Sequence, residues 1–212
     1  MLTNGYDVAV IEDHVAGNPF QNTYSSARHS YYGGGGVPNA WFDGVLNSLG
    51  GLSSGSMYSY YLPKYNQRIA ILSDFTVAMN GFNDGLDYTV VVTVENVEPY
   101  SGSNLVMQFT VTESHIPHSW GGLTEANHVN RFMAPDQFGT PLDFSGSSTQ
   151  TIMLEFTMDG SWVPDNCEFV AFVQDNTTKE ILQGTNVAVP DLMPMYFDNA
   201  GCLAINMVPV LN

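Results

Sequence analysis

The chain has 212 residues, of which 44% are hydrophobic, enough for one full core and a smaller second one. Five Lys and Arg stand against 21 Asp and Glu, a formal charge of -16. Lys64 and Arg68 are the sole local concentration of basic side chains, so no groove can neutralise phosphates, and nucleic acid and anionic membranes are excluded as expected partners.

No stretch approaches the roughly 20 apolar residues that span a bilayer, so no membrane insertion is expected. The start, Met1 to Tyr6, lacks the basic and apolar regions of a signal peptide. Asp7-Val-Ala-Val-Ile-Glu12 is a short apolar run rich in β-branched residues and reads as a buried strand. Gln21 to Tyr32 contains neither Gly nor Pro and sets Tyr24, Ala27, Arg28 and Tyr31 at helical spacing. The four glycines Gly33 to Gly36 end that helix, Val37-Pro38 follows in extended form, and Asn39 to Gly44 reads as a strand running into a turn. Leu46 to Ser56 has no period and reads as a connector. Met57 to Gln67 predicts a second helix, started or interrupted by Pro63.

From Arg68 the texture changes. Ile69–Leu72, Phe75–Ala78, Tyr88–Glu95, Leu105–Thr112, Thr151–Met158, Phe169–Gln174 and Glu180–Val187 are β-rich runs separated by Gly, Asn, Asp and Ser. Such a succession predicts two packed antiparallel sheets, an Ig-like β-sandwich, with Asp175 to Lys179 as a tight hairpin turn. The fold class is therefore α+β and mainly β, divided as 1–66, 67–190 and a C-terminal linker or extra strand at 191–212. Cys167 and Cys202 are too far apart for a CxxC pair or a zinc knuckle, and form either one disulfide or two buried thiols.

Gly36-Val37-Pro38 before Ala40-Trp41-Phe42-Asp43-Gly44 resembles the second half of a thioredoxin-like domain, where a cis-proline loop faces the redox cysteines. The wider pattern, including Val129 to Pro135 and Phe172 to Gln183, resembles the Omp28-related outer-membrane or secreted proteins of Bacteroidetes over residues 5–190. There, a thioredoxin-like segment precedes a β-sandwich. The resemblance implies a secreted, periplasmic or outer-membrane-associated bacterial protein and brings no established catalytic activity. In this chain the segment is partial: Met1 stands just before what would be the third strand, and the redox pair is missing. Unpaired sheet edges are unfavourable, so residues 5–65 are expected to repack on the sandwich or to pair with a second copy as a homodimer.

Several clusters carry possible chemistry. Gly51-Leu52-Ser53-Ser54-Gly55 fits the G-x-S-x-G pattern of serine hydrolases, with Ser53 as nucleophile, His118 (or His115 or His128) as base and Asp136 (or Asp143) as acid. No apolar strand runs directly into it, and a Gly/Ser-rich connector yields the same pattern by composition. His115-Ile-Pro-His118 with Glu113 and His128 could gather a divalent metal, against which stands a solvated loop at a strand end. Asn80, Asn83, Asp84 and Asp87 could offer oxygens to calcium, but turn chemistry explains them without EF-hand spacing. Tyr58, Tyr60, Tyr61, Tyr65, Trp41, Trp120 and Trp162 could form an aromatic platform for a sugar or peptide, or packing alone. The leading expectation is a non-catalytic extracellular or cell-surface binding or assembly module with a protein or glycan ligand. The alternative is an esterase-like hydrolase. A thiol-disulfide oxidoreductase would need cysteines near Pro38 that the chain lacks.

Overall fold

The computed structural model describes residues 1–193, 196–197 and 203–204. Helix α1 (Thr23–Tyr31) starts where Asn22 and Ser25 cap each other: Ser25 N donates to Asn22 Oδ1 at 2.8 Å and Asn22 N to Ser25 Oγ at 3.0 Å. It stops at the glycine run. Strands β1 (Asn39–Phe42) and β2 (Leu46–Leu49) form an antiparallel hairpin, followed by helix α2 (Tyr58–Ile69). Pro63 lies inside α2, and the helix continues through it.

The sandwich comprises β3 (Phe75–Asp84), β4 (Asp87–Asn96), β5 (Leu105–Glu113), β6 (Ile116–Trp120), β7 (Leu123–Ala126), β8 (Val129–Ala134), β9 (Thr140–Pro141), β10 (Thr149–Thr157), β11 (Cys167–Asp175) and β12 (Ile181–Ala188). One sheet has the order β10-β4-β3, and the other β12-β11-β5-β8 with β9 also on β5; β6 and β7 make a separate hairpin. The protein is thus mainly β, with antiparallel sheets, and the turn at Asp175 to Lys179 joins β11 to β12. Val90, Val92 and Val94 of one sheet face Met107, Phe109, Val111, Phe169, Ala171 and Val173 of the other, because alternate residues of each strand share a face. Phe156 sits between the layers, its ring 5.3 to 5.8 Å from those of Phe132, Phe109, Phe169 and Tyr88.

Four expectations need correction. Residues 7–12 do not form a strand: only Glu12 pairs, in parallel with Val129 of β8. A buried strand needs neighbours, and this segment finds one partner residue at the sandwich rim. Ile69–Leu72 is not a strand either, since α2 runs to Ile69 and Leu72 is 93% exposed. Leu46–Leu49, read as connector, is β2.

The sandwich is also more than the two packed sheets expected, because a third layer covers one of them. β5 is buried along its whole length, including Gln108, Thr110 and Thr112 on the face turned away from the core. Those polar residues escape solvent because a third layer covers the five-stranded sheet. Arg28 of α1 is 4% exposed and donates to Gln174 Oε1 and to the Tyr32 hydroxyl, both at 2.9 Å. Its guanidinium also lies 4.6 Å from the Tyr31 ring centroid and 5.7 Å from that of Phe172. Asn22 Nδ2 donates to Asn130 O at 2.7 Å, and Asn130 Nδ2 to Asp13 Oδ1 at 2.7 Å. The N-terminal segment is therefore seated on its own sandwich.

Replacing Arg28 by Leu should destabilise the whole chain by roughly 2–4 kcal/mol, because the buried Gln174 amide oxygen loses its donor and the Tyr32 hydroxyl one of two. Urea unfolding followed by tryptophan fluorescence measures this, and a single transition with an unchanged midpoint would show that the layer is not held through Arg28.

Candidate functional site

The structure separates the residues proposed for hydrolysis. Ser53 lies in the exposed loop between β2 and α2. His118 is on β6 with its ring 5.0 Å from that of Phe20, while Asp136 accepts the Phe138 amide at 2.8 Å within its own turn. No hydrogen bond among the described residues joins Ser53, His118 and Asp136, so they build no nucleophile-base-acid relay.

The histidines build no shared site either. His115, at φ 57, is paired through Nδ1 with Glu125 at 3.2 Å. His128, at φ 55, uses its amide to reach Ser114 Oγ at 3.0 Å, and burial pushes its imidazole pKa down. Glu113 turns inward to the Val163 amide at 2.9 Å and to Arg131 at 3.3 Å. Among the described residues no group of three or more His, Cys, Asp and Glu is placed to hold a metal ion. Two of the side chains considered for calcium serve turn and strand contacts: the Asn83 amide nitrogen Nδ2 donates to Gly85 O at 2.9 Å, and Asp87 Oδ1 accepts from Thr157 Oγ1 at 2.5 Å. Cys167 is buried and its thiol is pushed up to about 12 by burial, which makes it a poor nucleophile. Its expected partner Cys202 lies outside the described residues.

What the structure does assemble is a firmly mounted hairpin. Val37–Pro38 is a cis peptide at its entrance, and Gly50 N closes the far end by donating to Pro38 O at 2.8 Å. At the turn, Asp43 and Gly44 both have positive φ, 46° and 75°. A Cβ on Gly44 would collide with the carbonyl of Lys179, so only glycine lets the hairpin press on the β11–β12 turn. Ile181 N donates to Asp43 O at 2.8 Å, and Arg68 bridges Asp43 at 3.0 Å and Glu180 at 2.6 Å.

Beyond that mount the hairpin leaves apolar surface in water. Val37 is 57% exposed, Leu49 64% and Leu52 47%. The two chain segments flanking the hairpin lie against each other there: Leu49 Cδ1 stands 3.6 Å from where a Gly36 Cβ would be, and Pro38 Cγ 3.4 Å from that of Gly51. Trp41 stacks on Tyr32 at 5.3 Å beside them. The aromatic residues of α2 divide: Tyr6 bonds to Tyr58 and packs edge-on against Tyr65 at 5.0 Å, whereas Tyr60 is exposed. Trp162 packs under Arg131 at 5.2 Å, and Trp120 is exposed on the β6–β7 hairpin, so the aromatics make no single platform.

Two partly buried titratable groups sit at the seam. The Asp13 carboxyl is pushed up to about 6 by burial, against the pull of its bond to Asn130 and the positive charge of Arg28. The His14 imidazole is pushed down by burial and by neighbouring His118. Repacking of the segment on the sandwich was one of the two expected outcomes, but the sequence named none of the seam's residues, although an arginine on the apolar face of a predicted helix, in a chain with five basic residues, was a signal for them.

HBP35 of Porphyromonas gingivalis is similar in structure, with a TM-score of 0.66 and 16% identity over 81% of this chain and 58% of that chain. A domain of the outer membrane lipoprotein Omp28 from Porphyromonas gingivalis aligns with a TM-score of 0.43 and 16% identity, over 58% of this chain and 92% of that one. No family model and no curated protein matches the chain. The likeness to HBP35 is one of fold, and the aligned part of the chain spans 58% of that protein's length.

Asp13 sets a pH dependence. Folded, its carboxyl keeps a proton to about pH 6, while an unfolded aspartate releases it near 3.8. The stability it contributes is complete below the lower value and drains away as pH rises through the upper one. Asp13→Asn should therefore match the wild type at pH 4 and gain up to about 3 kcal/mol on it by pH 7.5. Denaturant titrations at several pH values measure the difference, and a pH-independent gap would remove Asp13 from the account.

Proposed function

We propose that this chain is a non-catalytic, Omp28-related binding module of the bacterial cell surface or extracellular space, whose β-sandwich mounts a partial thioredoxin-like segment as the ligand-facing part. The fold shared with HBP35 and the sequence resemblance support the family reading. The order helix, cis-proline, antiparallel hairpin and helix supports the thioredoxin-like one.

The observation that carries the functional reading is the exposure of Val37, Leu49 and Leu52 at the open end of a hairpin pinned through Gly44, Asp43 and Arg68. Apolar side chains held in water by a pinned hairpin can bind a partner with little ordering cost. The ligand is accordingly a protein segment with apolar side chains. The homodimer expected through residues 5–65 would use this same surface, with a second copy as the partner.

A phage-displayed peptide library panned on the wild-type chain should enrich apolar peptides that lose binding about tenfold or more to Leu49→Asp, a loss of ~1.4 kcal/mol or more. Peptides indifferent to that change would place the binding surface elsewhere. Hydrolysis of p-nitrophenyl acetate should equal that of Ser53→Ala, and a loss of turnover in the variant would overturn the non-catalytic reading.

A further inference from the structure

Each sheet of a sandwich has two terminal strands whose outer N–H and C=O groups want partners. Three of the four terminal strands here receive one from a segment outside their sheet. Asn130 N of β8 donates to Glu12 O at 3.0 Å, Ile181 N of β12 to Asp43 O at 2.8 Å, and Gly81 N of β3 to Met193 O at 3.0 Å. β10 is the fourth. From Thr151 to Thr157 no hydrogen bond among the described residues reaches its outer backbone edge.

The ladder shows which groups are left. Ser148 O accepts from Asn96 N, and Met158 N donates to Leu86 O, both at 2.8 Å, so the even-numbered residues of β10 bond to β4. Thr151, Met153, Glu155 and Thr157 therefore turn their N–H and C=O groups outward. The same residues are exposed, Met153 at 55%. The usual guards of a free edge are missing: pairing with β4 runs without a bulge from Thr149 to Thr157, and the strand has no proline, no lysine and Glu155 as its one charge.

We infer that β10 is a self-pairing edge, on which β10 of a second copy adds antiparallel about a two-fold axis through Met153, joining two three-stranded sheets. The register is self-complementary. Met153 meets its own copy, Thr151 meets Glu155 and Thr149 meets Thr157, so the one charge faces a hydroxyl and not its like. Thr151, Met153 and Glu155 have free outward backbone groups, so their pairs exchange hydrogen bonds, whereas Thr149, bonded through its N–H and C=O to Ser147 Oγ, must first give up those bonds to pair with Thr157. An edge contact of this length belongs to the small, weak class of interfaces, and the charge of -16 on each copy opposes it except where salt screens it. The inference does not depend on the hairpin surface proposed above, which lies on other elements.

Sedimentation equilibrium of the full chain at hundreds of micromolar, in about 0.05 M and about 0.5 M salt, tests this. A monomer–dimer equilibrium that tightens with salt is expected. Met153→Lys places two cations face to face on the axis and should weaken dimerisation about tenfold or more, while Thr151→Lys, opposite the partner's Glu155, should tighten it. Circular dichroism establishes that both variants fold. A wild-type chain that stays monomeric in high salt, or a dimer indifferent to both lysines, overturns the inference. A dimer lost in Leu49→Asp but kept in Met153→Lys does so too, by assigning association to the hairpin.

Discussion

The burial of Arg28 on the outer face of the five-stranded sheet is the constraint from which most of this structure follows. A guanidinium cannot shed its charge, so it enters a low-dielectric site only where its donors are used and its face is covered. Here Gln174 and Tyr32 take the donors, while Tyr31, Tyr32 and Phe172 supply the aromatic faces. Gln174 is fixed in turn, because its Nε2 donates to Lys179 O at 2.8 Å and to the Tyr32 hydroxyl at 2.9 Å. The arginine, the helix that carries it and the β11–β12 turn thus hold one another. That turn is the same one on which Gly44 and Arg68 seat the hairpin, so both halves of the N-terminal segment converge on it.

The sequence made the sandwich legible wherever a strand had one core face and enough length. β4, β5, β10 and β11 carry β-branched and aromatic residues in long runs, and β12 carries Ile181, Thr185 and Val187, with clear turn residues between the strands. The hairpin of β6 and β7 escaped because both strands are short and mostly exposed, with Pro117 in the first, so no alternation marks them. β8 ends at Pro135 and contains Arg131, which hid a strand inside a phrase otherwise useful as a family resemblance. Ile69 to Leu72 misled in the opposite direction. Apolar composition reads as burial, yet these side chains stay in solvent at the end of α2.

Polarity was the harder thing to read. Thr110, Thr112 and Gln108 alternate with core residues along β5, the pattern of a strand with one wet face, and nothing in their spacing tells that the face is covered. The same blindness affected the site. His115, His118 and His128 are close in sequence, but His115 and His118 take the separate partners Glu125 and Phe20, and among the described residues the three gather into no metal-holding group. Spacing in sequence predicts shared chemistry only when the backbone between the residues is regular, as in a helix or a ladder. Here it is neither.

Covering that outer face changes what the two parts mean to each other. The N-terminal segment has too few strands to satisfy its own backbone, and the sandwich has polar groups on its outer face that no second sheet reaches. Glu12 meets both needs at one residue, since its amide donates to His128 O at 2.7 Å and its carbonyl accepts from Asn130 N at 3.0 Å. A carboxylate beside it, Asp13, is then drawn out of water to reach the Asn130 side chain, which is the electrostatic cost of closing the seam. An interface formed by leftover backbone groups and half-buried charges costs more in polar desolvation than one formed by apolar faces. It persists because the unsatisfied alternative, an open strand edge with a buried arginine site left empty, costs more still.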